Sequence, residues 1–108
     1  MPERPPSSAR RYQRVRLGKR ISVAWQDASR SELGHVKALG LGGLFISTRN
    51  PPPVGTILKL VFDVPHGEVR ARGIVRNIEP GLGMGIEFTG MGYEDRGRLS
   101  RLLKDLSK

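Results

Sequence analysis

Residues 10–20 read RRYQRVRLGKR and hold six cations in one short segment. With Arg4, and against Glu3 alone, residues 1–20 contribute +6 of the chain's formal +9. The rest of the chain is close to charge-balanced. A guanidinium fork matches the oxygens of phosphates and carboxylates in a bidentate way. Charge of this size and placement, with Arg10, Arg11 and Arg14 within it, therefore suits an anionic partner: a nucleotide, a nucleic acid or an acidic protein surface.

Catalytic chemistry finds no comparable cluster. There is no cysteine, which excludes thiolate nucleophiles, thiolate metal sites and disulfides together. The two histidines, His35 and His66, have no partner at ligand or catalytic spacing, and neither G-x-S-x-G nor H-E-x-x-H occurs. The reading is of a protein that is not an enzyme, with no metal and no cofactor. Two glycine-rich stretches, ALGLGGLFI at 38–46 and GLGMGIEF at 81–88, raise the question of a phosphate cradle. That device aims the amides of a helix N-terminus at the anion. Neither stretch completes G-x-G-x-x-G, and strand patterns follow both. They are expected to be tight turns or bulges where glycine accepts positive φ.

The elements that position these residues show in the periodicity. Residues 1–9, MPERPPSSA, have no apolar pattern and read as a disordered tail, and residues 10–20 read as a basic arm. Alternation begins at RISVAW, with Ile21, Val23 and Trp25 on one face. QDASRS has turn chemistry, a second strand runs through Leu33, His35, Val36 and Leu39, and GLFIS is a third. Three prolines make TRNPPPVGT a connection. TILKLVFDV, EVRARGIVRNI and MGIEF are the remaining strands, with Leu58, Leu60 and Phe62, and then Val69, Ala71, Gly73 and Val75, facing inward. The tail changes period: Leu99, Leu102, Leu103 and Leu106 make an amphipathic helix over about 93–106. The fold class is all-β with one C-terminal helix, an antiparallel barrel of about six strands over 21–108 with the helix packed on it or capping an open end.

The ordered set RRYQR, VKALGLGGLFI, PVGTILKLVFDVP, VRARGIVRNI and PGLGMGIEF, followed by a short helix, resembles the PilZ domain over about residues 10–106. The resemblance implies the same barrel and a bacterial signalling module that binds cyclic di-GMP as a ligand. In that family an R-x-x-x-R arm wraps over the nucleotide, and a D/N-x-S-x-x-G stretch on the barrel contacts the base. By position the arm is Arg10 and Arg14, with Arg11 adjacent. The second motif falls on Ala38, Gly40 and Gly43, and only Gly43 matches. Alanine offers guanine no acceptor and glycine has no hydroxyl. A charged hydrogen bond contributes roughly 1.5–3 kcal/mol and a neutral one about 1. Losing both weakens binding by on the order of a hundred- to a thousand-fold.

Three functions follow. The first is a regulatory adaptor that works mainly through contacts with a protein partner, acidic if it meets the arm and Arg70, Arg72 and Arg76, with weak or absent cyclic di-GMP binding. The second is a cyclic di-GMP receptor held by Arg10, Arg11 and Arg14. The third, a basic barrel that binds nucleic acid, is disfavoured because aromatic stacking platforms are few. A solvated face is the preferred reading of Arg70, Arg72 and Arg76. No apolar run approaches the roughly 20 residues of a membrane span, and the N-terminus lacks a secretory h-region, so a cytoplasmic location is expected.

Overall fold

The computed structural model describes the backbone of residues 15–106 and the side chains of residues 21–106. Six strands precede one helix: β1 (Val15–Gln26), β2 (Ser31–Leu39), β3 (Gly43–Ser47), β4 (Ile57–Val64), β5 (Gly67–Glu79), β6 (Gly83–Met91) and α1 (Tyr93–Leu106). All pairings are antiparallel, and the order β1-β2-β3-β6-β5-β4 closes on itself as a barrel. β1 begins at Val15 rather than at the RISVAW alternation, because Val15 and Arg16 pair with Leu39 and Ala38 before the register shifts ahead of Ile21.

The core follows the alternation. Leu39, Leu44, Ile86 and Val75 lie side by side across β2, β3, β6 and β5, and all four are fully buried. Val23, Phe62 and Val69 form an equivalent row across β1, β4 and β5. Strict alternation would place Val36 and Leu39 on opposite faces. A bulge between Val36 and Ala38 turns both inward, since two residues of β2 there oppose one step of β3.

The helix caps one end of the barrel. Leu99 and Leu102 are buried with the strand side chains, and Leu103 and Leu106 pack against them. Glu94 and Asp95 lie in the first turn, where the helix dipole favours acids. Asp95 Oδ1 also accepts from the amide of Arg70 at 2.9 Å, and Arg98 Nη1 donates to the carbonyl of Glu68 at 3.2 Å. These bonds fix the helix to β5 beyond the last β6 pair, Ala71 with Met91.

The expected turn at 26–31 is an Asx-type turn. Asp27 Oδ1 accepts from the amides of Ser29 and Arg30 at 2.8 and 2.9 Å. The Ser29 amide, first among several donors, holds the Asp27 carboxyl below its ordinary range. Arg30 then reaches back over the ring of buried Trp25, 5.1 Å from its centroid, and donates to Glu32.

Candidate functional site

The glycine corner joins β2 to β3. The Gly40 amide donates to the Gly43 carbonyl, and the Phe88 amide donates to the Gly42 carbonyl, both at 2.9 Å. The corner is thus tied to β6 as well as to itself. Strand pairing brings the start of β1 to the same place: Val15 opposes Leu39, and Arg16 opposes Ala38. Arg10, Arg11 and Arg14 lie outside the described residues. Arg14 is nonetheless bonded to Val15, so the sequence motif of the arm ends one residue from the strand pair that leads into the corner.

Gly43 behaves differently from the expectation of positive φ. Among the described residues positive φ occurs at Gly55, Gly67, Gly81 and Gly83, not within 40–43. What Gly43 provides is proximity. It opposes Glu87, and a Cβ placed there would run into the carbonyl oxygen of Ile86 on β6. Strand packing alone therefore demands glycine at this position. In the second stretch the expectation holds at Gly81 and Gly83.

Beyond the corner, register builds an outer face. Ala38, Phe45, Gly85 and Asn77 form one row across β2, β3, β6 and β5. Gly43, Glu87 and Ile74 form the next. The Asn77 side chain lies across Gly85, where any Cβ would strike its Oδ1. The half-buried Glu87 accepts from Nε of Arg76, a residue turned outward by the register shift between Val75 and Asn77. The face thus offers a side-chain-poor strip bordered by an aromatic ring, an amide and an arginine–glutamate pair. Sequence reading named only its β2–β3 edge. Phe45, Asn77 and Glu87 are neighbours through register, and no local spacing marks them.

The other sequence-derived candidates scatter. Arg70 pairs with Glu68 at 3.2 Å, so it and Arg76 are both engaged locally, whereas Arg72 has no ion-pair partner among the described residues. His66 sits exposed in the β4–β5 turn, 3.7 Å from an Asp105 oxygen. Among the described residues no three His, Asp or Glu side chains gather where a metal could bind.

The PilZ domain family model matches residues 8–105. This chain belongs to the PilZ domain family. Solved structures share the fold at low identity. The PilZ domain of YcgR from Escherichia coli, solved with c-di-GMP, superposes with a TM-score of 0.73 at 15% identity over 91% of each chain. The complex of MrkH from K. pneumonia with c-di-GMP gives 0.77 at 21% identity, over 91% of this chain and 52% of that one. The Bacillus subtilis inhibitor of motility, MotI/DgrA, gives 0.71 at 17% identity, over 89% of this chain and 50% of that one. The present chain therefore spans about half the length of the MotI/DgrA and MrkH chains. No curated protein matches it in sequence. Among the described residues, no helix of this PilZ domain is long and apolar enough to cross a membrane.

Proposed function

We propose that this PilZ domain is a non-catalytic regulatory binding module of bacterial signalling that acts mainly through protein contacts, with weak or absent grip on cyclic di-GMP. The observation that carries this reading is the corner itself. Ala38 and Gly40 lack the acceptor and the hydroxyl that would read a guanine. The one matching residue, Gly43, is required by the close approach of β3 to Ile86, so its presence says nothing about a ligand. Calorimetry with cyclic di-GMP tests it. Millimolar or undetectable binding is expected, and low-micromolar binding abolished by Arg10→Ala or Arg14→Ala would overturn it.

The alternative, a receptor held chiefly by Arg10, Arg11 and Arg14, has one observation in its favour. Val15 pairs with Leu39, so the strand that directly follows the arm motif begins beside the corner. On that reading the arginines hold the phosphates and the missing side chains lower affinity without abolishing it.

A further inference from the structure

On the outer face of β4 and β5 the residues alternate in chemistry. Ile57 opposes Ile74, Lys59 opposes Arg72, Val61 opposes Arg70, and Asp63 opposes Glu68. Directly opposed like charges destabilise a strand pair. At the acidic end the fold relieves this, because Arg70 reaches back along β5 to Glu68 at 3.2 Å. At the basic end it does not: neither Lys59 nor Arg72 has an ion-pair partner among the described residues. An apolar pair adjoins the two cations: Ile57, 58% exposed, lies two residues from Lys59 along β4, and Ile74 lies two residues from Arg72 along β5.

We infer that this face docks an acidic protein segment, with carboxylates on Lys59 and Arg72 and an apolar side chain against Ile57 or Val61. The inference rests on the reading that the domain works through protein contacts, and it names the surface and the partner's chemistry. Charge complementarity selects the occupant, since a carboxylate pair answers the one uncompensated like-charge pair on β4 and β5. Barrel closure fixes the mode. Lys59 is paired on both sides, with β1 and with β5, and Arg72 with β4 and β6, so a partner cannot add a strand at these residues and must engage side chains on the face.

The test is an NMR titration of the whole chain with a synthetic peptide of alternating glutamate and leucine. Amide shifts are expected on β4, β5 and the adjoining part of β1, with affinity falling as salt rises. Lys59→Ala combined with Arg72→Ala should weaken binding at least about ten-fold, equivalent to about 1.4 kcal/mol. Arg72→Glu should remove binding while raising Tm by about 1–5 °C, because it relieves the like-charge pair. Any one of four results would overturn the assignment: unchanged affinity in the double variant, equal binding of a glutamine-for-glutamate peptide, shifts centred on residues 38–43, or tighter binding of oligo-dT to the same residues. A fall in Tm for Arg72→Glu would also count against it. Cyclic di-GMP calorimetry on the same variants keeps the two readings apart. Tight nucleotide binding would overturn the proposed function and leave the peptide result standing.

Discussion

Gly43 lies against the carbonyl oxygen of Ile86 with no room between them for a methyl group. A residue that a family pattern assigns to a ligand is thus first a residue that lets two barrel strands close. Gly43→Ala must push β3 from β6 along a backbone that cannot yield cheaply. Overpacking of this kind costs about 1–3 kcal/mol. A Tm lowered by roughly 4–20 °C is expected in a thermal melt. A variant that melts with the wild type would show the strands to be more loosely paired than described. Loss of any ligand in this variant is therefore no measure of a ligand contact.

Restoring the missing chemistry separates side chains from scaffold. Ala38→Asp with Gly40→Ser returns an acceptor and a hydroxyl to the corner. If the backbone there keeps the shape of a nucleotide site, calorimetry should show cyclic di-GMP affinity rising by on the order of a hundred- to a thousand-fold. No gain in a folded double variant would mean that the corner's geometry, and not only its side chains, is unsuited to the nucleotide.

The helix should prove integral to the barrel. Leu99 is fully buried where α1 closes the end of the core. Leu99→Ala removes that contact and leaves a cavity, at a cost of about 2–5 kcal/mol. Chemical denaturation with an unchanged m-value would measure it. A cost below about 1 kcal/mol would show that the helix packs only loosely.

Asp27 gives the β1–β2 turn a pH dependence of known sign. Its carboxylate accepts from two backbone amides, and its folded pKa is therefore below the ordinary 3.8. A depressed folded pKa adds stability that is complete above the unfolded value and is lost as pH falls through the folded one. A carboxyl-carbon NMR titration should show a midpoint below 3.8. Asp27→Asn should shrink the loss of stability on acidification, and an Asp27 midpoint at or above 3.8 would contradict the turn geometry.

Much of the architecture was legible in the chain. Strand interiors announced themselves because alternation reports which face is wet, and Leu58, Leu60 and Phe62 are buried as their pattern implies. The i, i+3, i+4 leucines reported the helix for the same reason. Legibility stopped where the period broke. The bulge at Lys37 puts Val36 and Leu39 on one face, and no local pattern marks it. The pairing of residues 15 and 16 with β2 was hidden because that segment alternates poorly and is dominated by charge.

By itself the sequence determined the strand and helix repertoire, the absence of cysteine, the basic N-terminal segment and the absence of polar side chains at positions 38 and 40. These are properties of residue type and local spacing. The tertiary structure decided which residues are neighbours: that Gly43 is there for Ile86, that Phe45, Asn77 and Glu87 share the face beside the corner, and that Lys59 opposes Arg72 without a counter-charge among the described residues. Register across a closed barrel is set by the packing of all six strands at once, and a one-residue slip anywhere would turn that strand's side chains to the opposite face.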